Sequence, residues 1–179
     1  MLYAAQLAFC AVARQAPRSS MTLSEKQQLL LDELSPFEDP HERFQYIIDR
    51  AKAAPGLAKE FQIAELLIEG CVSQLWMLPR FENGICYYDT DSDAVIAKGI
   101  ATLVCEFYSG ATPAEVLAAN TDFLAAAGIT QHLSANRRNG LSNLVAKIHA
   151  YAEFCAEGNA GAKSDGDGVA DGGDGGVRV

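Results

Sequence analysis

Residues 75–88, LWMLPRFENGICYY, constrain the fold more than any other part of the chain. Two apolar-rich runs flank Glu82-Asn83-Gly84, a turn of the kind that joins adjacent antiparallel strands, because Asn and Gly tolerate the positive φ it requires. Leu75 to Phe81 then forms one strand, with Trp76 and Leu78 on one face and Leu75 and Met77 on the other. Pro79 lacks an amide proton, which places it at the edge or end of a sheet. Ile85 to Tyr88 form the returning strand. Leu66 to Ile68 is a further short strand candidate, which makes EGCVS, residues 69–73, the connection into the hairpin.

On both sides of this region the apolar period changes from two to that of helices. Thr22-Leu-Ser-Glu25 has capping-box spacing ahead of good helix formers through Leu34. Asp39-Pro40 sets a cap before Pro at a first helical position, and Phe44, Ile47, Ile48 and Ala51 then share one helical face until Pro55-Gly56. After the hairpin, Asp91 or Ser92 is expected to cap a helix whose broad apolar face holds Ala97, Ile100, Ala101, Val104, Phe107 and Tyr108, ending at Gly110. Thr112-Pro113-Ala114-Glu115 is another capping box, followed by a short helix through Phe123 to Ala127. A last helix starts near Ser134 and buries Leu141, Leu144, Val145, Ile148, Tyr151 and Cys155. Helices, strands, then helices is an α+β order, with helices packed on a small antiparallel sheet.

The chain of 179 residues carries a net charge of -9, all of it in the central part, since the two ends cancel. Such an acidic domain is a poor nucleic-acid ligand, because that binding rests on basic contacts to phosphate. No apolar run is long enough to cross a membrane. The five cysteines, Cys10, Cys71, Cys86, Cys105 and Cys155, are odd in number and form no C-x-x-C, which fits a reducing compartment better than a disulfide framework. Residues 1–20 have no acidic residue, and their arginines follow the apolar stretch, which suits a transit peptide better than a signal peptide. The cap at Thr22 favours a third reading, an extension ahead of a true start at Met21. The expected domain is therefore 21–157, with residues 158–179, rich in Gly and Asp, as a disordered tail.

Cys86, Cys105 and Cys155 lie in strand or helix periodicity and are expected in the core. Cys71 differs: it follows Gly70 and precedes Ser73 and Gln74, so a buried filler, a metal ligand and a reactive thiol all stay open. Only three histidines exist and none is close to Cys71 in sequence, which weighs against a metal site. His132 is a candidate with a plainer alternative, packing or capping. Arg137 and Arg138 open the last helix, where a cation is electrostatically disfavoured, so some other partner is expected to hold them. No phosphate loop, nucleophile elbow or zinc-protease helix is present in the sequence.

Taken together, the pieces resemble the SufE family. Gly70-Cys71-Val72-Ser73-Gln74-Leu75-Trp76 resembles its G-C-x-S-x-V-W. Asp91-Ser92-Asp93-Ala94 with Ile96, Lys98 and Gly99 resembles its D-S-D-A-x-I-x-K-G. Gln131-His132-Leu133-Ser134 and Arg137 to Leu141 resemble its Q-H-L-(S/T)-x-x-R-x-x-G-L, and Phe44 to Ile48 its Y-x-x-I-I. The order and spacing hold from about residue 25 to 155. Leu75 replaces the usual Val, and Gln62 and Leu66 stand near places where the family shows an arginine and an asparagine.

The resemblance implies a three-stranded antiparallel sheet with helices packed around it, similar to the IscU/NifU scaffold. It implies a covalent sulfur carrier and activator of a cysteine desulfurase in iron–sulfur cluster assembly, rather than an independent enzyme. The acceptor would be Cys71, with Arg137 in support and His132 a further candidate. No cofactor or metal of its own is implied; pyridoxal phosphate belongs to the desulfurase. The implied partners are that desulfurase and a downstream scaffold complex, with no nucleic acid and no membrane, in the cytoplasm unless residues 1–20 direct the chain to an organelle. The alternatives are the same fold serving another sulfur-trafficking route, a structural activator that carries no sulfur, and a metal or cluster scaffold.

Overall fold

The expected hairpin is the centre of the architecture. In the structure, a computed structural model that describes residues 21–162, β1 (Leu75–Glu82) pairs antiparallel with β2 (Ile85–Ser92). The register runs from Glu82 opposite Ile85 to Leu75 opposite Ser92. Asn83 and Gly84, with φ of 53° and 81°, make the turn, as the Asn-Gly pair requires. Pro79 sits mid-strand, opposite Tyr88, in a sheet whose two strands are both edges. β2 runs four residues beyond the expected Tyr88, through Asp89 to Ser92.

The third strand of the expected sheet is absent from the described residues; the sheet has two strands, with a single isolated bridge on each flank. On one flank, Ala64–Leu66 winds into a 3-10 turn. Only Leu67 then bridges Trp76, and Ile68 donates to the Leu75 carbonyl at 2.7 Å, before the chain turns away at Glu69-Gly70. On the other, Ala111 bridges Cys86, but Pro113 follows and starts a helix, so the pairing stops at one residue.

The helices form where their caps allow. α1 (Leu23–Leu34) starts at a reciprocal capping box: Glu25 N–H donates to Thr22 Oγ1 at 3.2 Å, and Thr22 N–H donates to Glu25 Oε2 at 2.7 Å. α2 (Pro40–Ala53) is capped by Asp39, whose carboxylate accepts from His41 N–H at 2.8 Å. α3 (Val95–Tyr108) has Ala94 at its cap position and no side-chain cap, contrary to the expectation for Asp91 or Ser92. Ser92 Oγ accepts from Ala94 N–H, but Ser92 stands two residues ahead of the cap position, too early to cap the helix. Asp91 is engaged elsewhere: it accepts from Leu57 N–H and Gln62 Nε2 and pairs with Lys98 at 3.1 Å, fastening segment 57–62 to the hairpin's end.

The expected short helix beyond Pro113 is two: α4 (Pro113–Ala118) and α5 (Asp122–Ala126). They separate because Ala119 is extended and Asn120 Oδ1 accepts from Asp122 N–H, a local turn that competes with helix. A 3-10 turn, Thr130–His132, leads to α6 (Ala135–Ala162), the longest element. Residues 1–20, the expected extension, and 163–179, most of the expected 158–179 tail, lie outside the described residues, as does Cys10; residues 158–162 of that expected tail continue α6 instead.

α3 lies across β2 and α2, and α6 covers α3, α4 and β1. The core between them holds Met77, Cys86, Val104, Tyr108, Phe123, Leu124, Leu144 and Ile148, each at most 1% exposed. Cys105 and Cys155 join it, as their periodicity suggests. Arg50 of α2 ties this layer to α1 and α3 through Glu33 at 2.8 Å and Glu106 at 2.6 Å.

Candidate functional site

The loop that carries Cys71 is an excursion between two paired positions. Its base is closed by the Ile68–Leu75 hydrogen bond, and Gly70 (φ 74°) turns the chain in a conformation that side chains resist. Gln74 anchors the far end: its carbonyl accepts from Asp93 N–H at 3.2 Å and Ser92 Oγ at 2.7 Å. Between those anchors Val72 is 80% exposed, while Cys71 is half-buried and packs against the core.

The Cys71 sulfur sits against the first turns of α6. A Cβ placed on Gly140 would fall 2.1 Å from Sγ, so only glycine leaves room for the thiol there. On its other side the thiol borders a cavity of about 370 Å³. Ile100 and Ala101 of α3 and Leu141 and Leu144 of α6 give it apolar walls, and Ser134 and Arg137 supply polar ones. Burial pushes the Cys71 thiol up from its ordinary pKa. At neutral pH the free protein therefore holds a protonated thiol, which is a poorer nucleophile than its thiolate.

Arg137 is exposed, and among the described residues no hydrogen bond or ion pair reaches its guanidinium. The partner expected for it at the helix start is therefore not within the described chain. Ser134 offers its Oγ to Arg137 N–H at 3.4 Å, and the neighbouring Arg138 guanidinium donates to the Leu133 carbonyl. The two arginines thus have different fates: one folds back on its own chain, the other faces the cavity beside Cys71. His132 ends the 3-10 turn before α6, and its side chain lies outside the described residues. The structure therefore brings together Cys71 and Arg137, from points 66 residues apart in the chain, and leaves His132 unassigned.

Two further residues at this place, Asn143 and Lys147, escape sequence reasoning and read as ordinary surface, while Gly140 enters only as the glycine of the R-x-x-G-L resemblance, with no role attached. Yet Asn143 Nδ2 donates to the Glu69 carbonyl at 2.7 Å, and Lys147 Nζ donates to the carbonyls of Glu65 and Leu67 at 3.1 and 3.0 Å. The one available signal is their spacing, 140, 143 and 147, which lies along one stripe of a helix. Among the described residues no cluster of His, Cys, Asp and Glu could hold a metal ion.

The family model for SufE, the Fe–S metabolism associated domain, matches residues 28–152, which include both Cys71 and Arg137. The chain belongs to the SufE family. An uncharacterized SufE-like protein of Rhizobium etli is 30% identical over 145 residues, spanning 78% of this chain and 98% of that relative. A SufE-like protein of Synechocystis is 29% identical over 126 residues, covering 70% and 79% of the two. SufE-like protein 1 of Arabidopsis thaliana, chloroplastic/mitochondrial, is 33% identical over 124 residues, which make up 69% of this chain but 33% of that longer protein. The fold itself is shared with the solution structure of a hypothetical protein from Thermus thermophilus, at a TM-score of 0.61 and 18% identity, covering 74% of this chain and 96% of that one. SufE membership ties the chain to Fe–S metabolism. Among the described residues no helix is long and apolar enough to cross a membrane.

Proposed function

We propose that this SufE-family protein accepts sulfur on Cys71 from the persulfide of a cysteine desulfurase, stimulates that enzyme, and passes the sulfur on for iron–sulfur cluster assembly. The single observation that carries the reading is the placement of Cys71. It is the one described cysteine that is not in the core, and it stands on a loop between an exposed Val72 and a cavity. In the transfer step the Cys71 thiolate attacks the outer sulfur of the desulfurase persulfide. A new S–S bond forms on Cys71, the S–S bond within the desulfurase persulfide breaks, and the desulfurase thiolate leaves and takes up a proton. No outside oxidant or reductant is needed, since one persulfide replaces another.

Burial works against the thiolate in the free protein, so the reactive form arises when the loop moves outward or a partner's charge comes near. In this reading Arg137, which lines the same cavity, stabilises that charge. The apolar cavity has room for an added sulfur atom. The pyridoxal phosphate of the reaction resides in the desulfurase, and the carrier needs no cofactor of its own. The cytoplasm, or an organelle if residues 1–20 direct it there, is the compartment that suits the four unpaired thiols among the described residues.

Desulfurase turnover measured with this protein and its Cys71→Ser variant separates carrier from structural activator. A carrier loses its stimulation with Cys71→Ser while still binding the enzyme. Undiminished stimulation by Cys71→Ser would overturn the reading in favour of an activator that carries no sulfur. Arg137→Ala is expected to slow transfer about tenfold, the scale of one charge-assisted contact; unchanged transfer and unchanged affinity would remove that residue from the mechanism.

A further inference from the structure

The tip of the Cys71 loop has few attachments of its own. Among the described residues, a turn at Glu69-Gly70 opens the loop, and no backbone hydrogen bond holds Val72 or Ser73. Its polar fastenings come instead from α6. Asn143 donates to the Glu69 carbonyl at the loop's entry. The same amide nitrogen lies 2.6 Å from where a Cβ on Gly70 would stand, so the Asn143 side chain abuts the turn itself. One turn further on, Lys147 joins the carbonyls of Glu65 and Leu67, just before the loop begins. One turn earlier, Gly140 provides the notch in which the Cys71 sulfur rests. These three residues lie along one stripe of the helix, whereas Arg137, Leu141 and Leu144 face the cavity.

We infer that Gly140, Asn143 and Lys147 are positioning residues that hold the Cys71 loop against α6, with the Asn143–Glu69 hydrogen bond as the fastening whose release sets how readily the thiol reaches out. The part of this inference that concerns a partner's sulfur rests on the function proposed above; the part that concerns the thiol's accessibility does not. Lys147 fixes the approach to the loop, Asn143 fixes its first turn, and Gly140 admits the sulfur only because it has no side chain. Between its anchors at Ile68 and Gln74, a loop tip held to α6 by one neutral hydrogen bond and one steric fit opens at small cost, which suits a group that must be sheltered at rest and presented on contact.

The test is alkylation of the full chain by iodoacetamide, with modification of each cysteine followed by peptide mass spectrometry across a pH series. Asn143→Ala is expected to raise the Cys71 rate about fivefold, the effect of losing one neutral hydrogen bond. Its pH midpoint should fall toward that of an ordinary thiol as the sulfur becomes solvated. Gly140→Ala should raise the rate at least as much, because its methyl occupies the place of Sγ. Lys147→Met should give about a twofold rise, and Lys147→Arg, which keeps a donor, should return the rate toward that of the unmodified protein. Cys86 and Cys105 are the internal control and stay unmodified if the effect is local. Unchanged Cys71 rates in both Asn143→Ala and Gly140→Ala, or parallel modification of Cys86 and Cys105, would overturn the inference. Faster alkylation in Asn143→Ala, together with no sulfur taken from a desulfurase by any version, would support the fastening and sink the carrier reading alone.

Discussion

Two cavities among the described residues are each bordered by a cysteine, and they differ in what their polar groups are doing. The larger, about 460 Å³, is lined by Cys105 together with Lys26, Glu33, Arg50, Arg80 and Asp89. Every cation there is engaged. Arg50 pairs with Glu33 and Glu106, Arg80 with Glu82 and Asp89, and Lys26 donates to the carbonyls of Glu106, Phe107 and Ser109 at the end of α3. Its cysteine is 1% exposed, and burial pushes that thiol far above its ordinary pKa. The smaller cavity holds a half-buried thiol on a loop and an arginine with no side-chain partner among the described residues. Volume alone would choose the cavity other than the proposed site. The difference lies in whether the charged and nucleophilic groups are already satisfied by the fold or are left for something arriving from outside.

The largest expected effect that sharpens this contrast is in thiol reactivity. In the native protein, Cys71 should be alkylated at least about a thousandfold faster than Cys105, because Cys105 is reached only by an opening close to global unfolding. Denaturant should erase the ratio. Comparable native rates for the two thiols would break the distinction between the cavities. Next in size is the core beneath them: Met77→Ala should cost about 2–5 kcal/mol in chemical denaturation, through lost burial and the space left behind. Val72→Ala, at the exposed tip, should fall within about 0.5 kcal/mol of the unmodified protein.

The pH dependence comes third. The folded state raises the pKa of Cys71, Cys86, Cys105 and Cys155 above the ordinary 9.0, by burial in each case, with Cys155 pushed up to about 12. A thiol that holds its proton more tightly when folded contributes stability that is complete below the ordinary pKa and is lost as pH rises past it. Urea midpoints should therefore be level through neutrality and fall above pH 9; a rise over that range would contradict the burial of these groups. An effect smaller than the core's belongs to the satisfied side of the molecule. Arg50→Met should lower stability by about 1 kcal/mol, since its ion pairs are a third or more exposed and screened by solvent, and should leave Cys71 alkylation unchanged.

The sequence made some of this legible and hid the rest for physical reasons. The Asn-Gly turn, both capping boxes and the helical faces are local signals, and each appears where its residues demand. The third strand does not appear, because Ala64–Leu66 coils before it can pair and Pro113 ends the opposite flank; which of two short-range conformations wins depends on neighbours distant in sequence. Asp91 has the look of a helix cap but is taken by Leu57, Gln62 and Lys98, partners that no window of sequence would place beside it. At the site, Cys71 stood out through its glycine neighbour and polar flank, yet the residues alone left filler, ligand and nucleophile open. Gly140 showed only as a motif glycine, and neither its notch nor the fastening by Asn143 could be read, since both depend on α6 crossing the loop, with Asn143 lying 74 residues beyond Glu69.

The most direct measurement is mass spectrometry of the Cys71 peptide after the protein is incubated with a cysteine desulfurase and free cysteine. The expected result is a gain of one sulfur atom on Cys71, absent without the enzyme, with Cys86, Cys105 and Cys155 unaltered. Sulfur appearing on another cysteine, or a Cys71 that stays bare while the desulfurase is nonetheless stimulated, would contradict the account.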